Sequence, residues 1–173
     1  MKNVLNCSIE AAKKAGEIIM NYYKTKLKIS HKSPNNPVTN ADFAANNILE
    51  QILKNQYPTF GWLSEETKDS SERLSKEYVW IIDPIDGTKE FIEGVPNFSV
   101  SIGLVKNGSP IIGVLYNPAT EELFYAQKGK GSFYNNRSIK CSLKKDIYNI
   151  NIVISRSEMK AGLWEQYKST TKN

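Results

Sequence analysis

From residue 78 onward, turn-forming residues punctuate the chain at short, near-regular intervals. Lys106-Asn107-Gly108-Ser109, Asn117-Pro118-Ala119-Thr120 and Lys128-Gly129-Lys130-Gly131 each separate runs rich in Val, Ile, Leu, Tyr and Phe. Such runs read as strands joined by hairpins, because Gly, Asn and Pro allow the chain to reverse within a few residues. The spacing predicts strands over residues 78–83, 98–105, 111–116, 123–127 and 132–134, in an antiparallel sheet. A short strand is expected over 60–64, a polar loop with some helix over 67–76, and a further strand over 147–155 followed by a helix over 158–168. A sheet of this kind must bury one face, so something has to cover it.

The cover comes from the first third of the chain. Residues 3–24 place Leu5, Ile9, Ala12, Ala15, Ile18, Ile19 and Tyr22 at helical spacings. A second helix is expected to start near Thr39-Asn40, either of which caps exposed amides, and to bury Phe43, Ile48, Leu49, Ile52 and Leu53. Tyr57-Pro58 ends it, since proline disfavours helical geometry in the residue before it. Residues 30–37, polar and interrupted by Pro34 and Pro37, read as a loop. The order predicts an α+β layered sandwich: two N-terminal helices packed on a large antiparallel sheet.

Composition narrows the partners. The formal net charge is +5, but the basic residues are scattered. Their densest group, Lys24, Lys26, Lys28 and Lys32, has no aromatic stacking motif beside it, so a small anionic ligand is expected rather than a nucleic-acid polymer. Cys7 and Cys141 lie far apart, which indicates neither a disulfide framework nor a zinc site. A cytoplasmic setting is the expectation. No signal-like stretch opens the chain, and Val79-Trp80-Ile81-Ile82 is too short to span a membrane. A single histidine, His31, argues against a Ser/His/Asp triad and against histidine-rich metal sites.

The chemistry concentrates in Asp83-Pro84-Ile85-Asp86-Gly87-Thr88. Asp83 closes an apolar strand, and Asp86 and Thr88 follow in a Pro/Gly turn. Two carboxylates, a hydroxyl and backbone groups gathered so closely form a set of hard oxygen ligands that suits Mg²⁺. Thr88-Lys89-Glu90-Phe91 can begin a short helix whose free amides face a phosphate. Taken alone, the six residues also read as an ordinary turn between strands. Covalent aspartyl-phosphate chemistry of the haloacid dehalogenase type requires Asp-x-Asp-x-Thr, and Ile85 interrupts that pattern. Two further carboxylate-bearing junctions add weight: Ser64-Glu65-Glu66 after its own strand, and Pro37-Val38-Thr39-Asn40-Ala41-Asp42 at the start of the second helix.

With these segments the chain resembles the inositol monophosphatase superfamily. Trp80 to Thr88, Leu63 to Glu66, Val100-Ser101-Ile102-Gly103 and Gly113-Val114-Leu115-Tyr116-Asn117-Pro118 carry the resemblance. Thr88-Lys89-Glu90-Phe91 and Ile154-Ser155-Arg156-Ser157 look most like its 3'(2'),5'-bisphosphate nucleotidase branch. The resemblance implies Mg²⁺ held by Glu65, Asp83, the Ile85 carbonyl and Asp86. It implies phosphate held at Asp86, Gly87 and Thr88, and a water activated by Thr88 with Asp42, with Glu65 also assisting catalysis. Glu66 is expected to be a solvated or supporting acid, Lys89 either a substrate contact or an exposed residue, and Trp62 and Trp80 packing residues.

The expected reaction is Mg²⁺-dependent hydrolysis of a small phosphate monoester, 3'-phosphoadenosine 5'-phosphate first. An inositol-1-phosphate or related polyol phosphatase is the alternative, and an inactive remnant or interaction module is another. Residues 1–146 are expected to form the metal-binding domain and 147–173 the start of a truncated α/β domain. Family members carry in that second domain a Trp-Asp-x-Ala-Ala-Gly-type motif, which this sequence lacks and whose Asp completes the metal site. A complementing chain or a homodimer is the partner this implies.

Overall fold

The computed structural model describes residues 2–34, 36–143 and 152–167. The chain divides into two compact units, Met1–Ile139 and Lys140–Asn173. The first contains α1 (Lys2–Met20), a ribbon of β1 (Ile29–Ser33) and β2 (Asn36–Thr39), and α2 (Asn40–Gln56). Then come β3 (Gly61–Ser64), β4 (Tyr78–Asp86), α3 (Thr88–Ile92), β5 (Ser99–Lys106), β6 (Ser109–Asn117), β7 (Glu122–Gln127), β8 (Gly131–Tyr134) and β9 (Arg137–Ile139). Strands β3 to β9 form one seven-stranded sheet in sequence order. The expected α+β layering is therefore present, with α1 against β5 and β6, α2 against β4, and both helices against each other.

One pairing departs from the antiparallel expectation. β3 runs parallel to β4, because the connection between them, which includes a 3₁₀ turn at Ser71–Ser75, carries the chain back to the same end of the sheet. Every other neighbouring pair in the sheet is antiparallel. β9 was not expected; it follows the Asn135-Asn136 turn, where both residues have positive φ.

The buried faces of the helices are narrower than their apolar residues suggest. In α1 the buried line runs through Val4, Cys7, Ala11, Ala15 and Ile19, while Leu5, Ile9 and Ile18 lie at its flanks. Small side chains let the helix approach the sheet closely. A Cβ at Gly16 would stand 2.7 Å from the Tyr116 ring and 2.9 Å from Pro118. In α2 the buried residues are Ala41, Asp42, Ala45, Asn46, Leu49 and Leu53. Phe43, expected in the core, is 47% exposed, and two polar residues occupy the inward face instead.

Most of the stretch expected as a loop is strand: residues 30–33 belong to β1, and Asn36 and Pro37 to β2. β1 and β2 pair antiparallel, with His31 opposite Pro37. A two-stranded ribbon leaves one side of each strand unpaired, so the missing proline amide has no ladder bond to break. Helix α1 stops at Met20, short of residue 24, and its last carbonyls accept tight bonds from Asn21, Tyr22 and Tyr23 before Lys24 turns the chain at φ 58°. Tyr23 then packs on Phe91 and Phe98 and donates to Gly94 O at 2.7 Å, which ties this corner to the segment after α3.

In the second unit, α4 (Arg156–Lys160) is capped by Ser155 and Glu158, and a 3₁₀ turn follows at Glu165–Tyr167. These occupy part of the helix expected over 158–168. Of the strand expected over 147–155, residues 147–151 lie outside the described residues, and 152–155 join no ladder.

Candidate functional site

The parallel pairing of β3 and β4 creates the first element of the site. Ser64 stands opposite Ile82, and the Glu65 amide extends the ladder by donating to Ile82 O at 3.1 Å. The next residue along each strand is a carboxylate, so Glu65 and Asp83 meet side by side. Asp83 Oδ1 is buried and has no hydrogen-bond partner. Burial, the facing Glu65 and the nearby Asp86 push the Asp83 carboxyl up to about 7.

Glu65 moves the other way. Lys32 Nζ donates to Glu65 Oε1 at 2.8 Å and to Glu66 Oε1 at 2.8 Å. That hydrogen bond is the main reason the Glu65 carboxyl lies below its usual range. Burial pulls the Lys32 ammonium down, but its bonds to Glu65 and Glu66 outweigh burial and raise it. The Glu66 side chain is only 3% exposed, so it is not a solvated acid, and burial holds its carboxyl above the usual range.

The Asp-Pro-Ile-Asp segment is a bulge within a strand rather than a turn after one. β4 continues to Asp86, with Asp83 opposite Ser101 and Asp86 opposite Ser99. Pro84 and Ile85 thus face a single residue of β5. Proline has no amide to contribute to a ladder, so the irregularity falls where least bonding is lost. Gly87 follows at φ 93°, where a Cβ would lie 2.8 Å from Asn97 O. Only glycine fits both the left-handed backbone and that close approach. α3 begins at once, with Phe91 N donating to Gly87 O at 3.0 Å.

Asp42 joins this segment from α2. The Thr88 hydroxyl lies 3.2 Å from Asp42 Oδ1 and 3.0 Å from the Ile85 carbonyl. The other carboxylate oxygen is used differently: Asp42 Oδ2 accepts from Thr39 N at 2.8 Å and from Thr39 Oγ1 at 2.6 Å. This is a capping box, with Thr39 as the cap. Burial raises the Asp42 carboxyl against the opposing pull of those hydrogen bonds.

Glu65, Asp83, Ile85, Asp86, Gly87, Thr88 and Asp42 therefore lie on two strand ends, one bulge and two helix starts. Glu65 meets Asp83, and Thr88 meets both Asp42 and Ile85. Among the described residues, no three His, Cys, Asp or Glu side chains converge tightly enough to form a preformed metal cluster. The charge balance nonetheless fits a cation. A buried, orphaned carboxylate oxygen beside a second carboxylate is a site where positive charge is missing. Lys89 is exposed, Trp80 is fully buried, and Trp62 packs under Lys54. Sequence reasoning gave no site role to Lys32, Asn46 or Ser64. Only the fold of the β1–β2 ribbon and the inward face of α2 bring them in.

Residues 1–171 match the inositol monophosphatase family. The chain is 41% identical over 151 residues to inositol monophosphatase 2 of Solanum lycopersicum, covering 85% of this chain and 57% of that protein. The structure of Thermotoga maritima IMPase matches with a TM-score of 0.86 at 28% identity, over 99% of this chain and 66% of that one. CysQ from Bacteroides thetaiotaomicron, a bacterial member of the inositol monophosphatase family, matches with a TM-score of 0.72 at 29% identity, over 99% and 71%. The chain thus spans little more than half the length of the curated relatives it matches. These matches do not separate the bisphosphate nucleotidase branch from the rest of the family. With its site segments on the expected strands and the match running over nearly all its residues, the chain belongs to the inositol monophosphatase family.

Proposed function

We propose that this chain carries the metal-binding half of a Mg²⁺-dependent phosphomonoesterase, with a polyol phosphate such as inositol 1-phosphate as its substrate. The observation that carries the reading is the Glu65–Asp83 pair with its orphaned buried oxygen, set beside the Thr88–Asp42 contact. Glu65, Asp83, the Ile85 carbonyl and Asp86 are the groups that would hold Mg²⁺. When bound, Mg²⁺ supplies charge neutralisation for the phosphate and makes an attacking water more acidic.

The chain's own residues supply position and a proton path. The Thr88 hydroxyl donates toward Asp42 or Ile85, which leaves its lone pairs free to accept from a water. The water's proton passes toward Thr88 Oγ1 as the Thr88 proton moves to Asp42 Oδ1. Burial makes Asp42 a better proton acceptor than an exposed carboxylate. The Gly87 and Thr88 amides open α3 and lie outside its internal ladder, so they are available to phosphate oxygens. In-line attack then needs little more than alignment and neutralised charge.

Inositol phosphate ranks ahead of a 3',5'-bisphosphate nucleotide because the named relatives are inositol monophosphatases. The nucleotide reading rests on the Thr88-Lys89-Glu90-Phe91 segment. A binding or interaction module without activity is the second reading, favoured by the lack of three convergent carboxylates among the described residues. Phosphate release from inositol 1-phosphate and from 3'-phosphoadenosine 5'-phosphate, with and without Mg²⁺, tests all three. Metal-dependent release abolished by Asp83→Asn is the expected result. No release from either substrate overturns catalysis by this chain and leaves the second reading.

A further inference from the structure

One inward-facing residue of α2 has no role in the chemistry above. Asn46 lies one helical turn after Asp42, on the same buried face, and is 3% exposed. Its Oδ1 accepts a 2.6 Å hydrogen bond from Ser64 Oγ, and Ser64 is itself 4% exposed. Ser64 ends β3 and immediately precedes Glu65. The same hydroxyl oxygen accepts from the Glu66 amide at 3.3 Å, so it also constrains the backbone beyond Glu65.

α2 therefore grips both strand ends of the site from a single face. Asp42 reaches Thr88 beyond the end of β4, and Asn46 reaches Ser64 at the end of β3. Asp83 and Glu65 lie on the two segments so held. Fold stability alone does not demand the second grip. Two buried polar groups that satisfy one another contribute little more than apolar groups of the same shape, whereas their bond fixes one geometry.

We propose that Asn46 and Ser64 are a positioning pair that holds Glu65 against Asp83 and so sets the affinity of the site for a divalent cation. The proposal rests on the reading of Glu65 and Asp83 as metal ligands. Groups that orient ligands rather than bind metal typically change affinity by roughly 10–100-fold when removed. The bond between them needs both partners, and Ser64→Ala also loses the bond from the Glu66 amide, so removing Asn46 as well adds nothing to the loss of Ser64.

The test is direct binding of Mn²⁺, as a paramagnetic stand-in for Mg²⁺, to the full chain, counted by electron paramagnetic resonance. Wild type is compared with Asn46→Ala, Ser64→Ala, the double variant, Ser64→Thr and Asp83→Asn. Asn46→Ala and Ser64→Ala are expected to weaken binding by roughly tenfold or more, with the double variant no weaker than Ser64→Ala. Ser64→Thr, which keeps the hydroxyl, is expected to bind as wild type does. If Asn46→Ala fails to fold, Ser64→Ala, which loses only a hydroxyl, carries the same test. Unchanged Mn²⁺ affinity in Ser64→Ala, with binding lost in Asp83→Asn, overturns the positioning role and leaves the metal site standing. Unchanged affinity in Asp83→Asn overturns the metal site and the positioning role together.

Discussion

Asp42 and Thr88 meet through one carboxylate oxygen, while the other oxygen of Asp42 caps its own helix. Oδ1 lies 3.2 Å from the Thr88 hydroxyl, and Oδ2 accepts from both the amide and the hydroxyl of Thr39. A first-turn helix acid and the proposed acid-base group are thus the same side chain, divided atom by atom. Substitutions can separate the two roles. Thr39→Ala is expected to lower stability by about 1 kcal/mol through loss of the cap, measured by urea unfolding, while kcat stays near wild type. Thr88→Val is expected to leave stability nearly unchanged and reduce kcat by roughly 100-fold or more. A Thr88→Val enzyme with full kcat would remove Thr88 from the proton path.

The buried carboxylates give the metal-free protein a particular pH dependence. Asp83 binds its proton more tightly folded, at about 7, than unfolded, near 4. Its stabilising effect is therefore complete below about pH 4 and is lost as pH rises through about 7. Asp42 and Glu66, also raised by burial, act in the same direction. Melting temperatures without metal are expected to fall between these limits, less steeply in Asp83→Asn. Added Mg²⁺ should restore stability above neutral pH. A melting temperature that rises across this range would contradict the assignment.

Lys32 occupies an oxygen of Glu65, one of the proposed metal ligands. Its ammonium lies 2.8 Å from Glu65 Oε1, in a pair whose lysine side chain is 26% exposed and glutamate 43%. Exposed pairs contribute up to about 1 kcal/mol, so freeing Glu65 should tighten divalent binding by at most about fivefold. Lys32→Met, which keeps the apolar stem, tests this by calorimetric titration with Mg²⁺. Weaker binding would mean that Lys32 supports the ligands rather than competing with metal.

Gly87 faces a double constraint. At φ 93°, with Asn97 O standing 2.8 Å from the place a Cβ would occupy, Gly87→Ala adds both backbone strain and a clash. The left-handed backbone alone costs about 1–2 kcal/mol in a residue with a Cβ. Chemical unfolding should show at least that loss. The amides of Gly87 and Thr88 should also be displaced, seen as a raised KM for the phosphate ester.

The local parts of this fold were legible in the residues because local chemistry determines them. Gly, Asn and Pro turns set the strand boundaries, and Thr39 followed by Asp42 marks a helix start. Asp83 to Thr88 can be recognised without coordinates because the required residue types are contiguous. What the sequence could not supply is everything that depends on which distant elements become neighbours. Only the parallel pairing of β3 and β4 sets Glu65 beside Asp83 and creates the raised carboxyl there. Only the pairing of β1 with β2 into a ribbon carries Lys32 to Glu65 and Glu66. Phe43 was expected inside by its hydrophobicity, yet the inward face of α2 is given to Asp42 and Asn46, since the strand ends beneath it present hydroxyls that need partners. Residue type and spacing thus determined the strands and the carboxylates that follow or close them. Tertiary pairing decided which carboxylates lose solvent together, and burial shared between elements far apart in sequence is what shifts their chemistry.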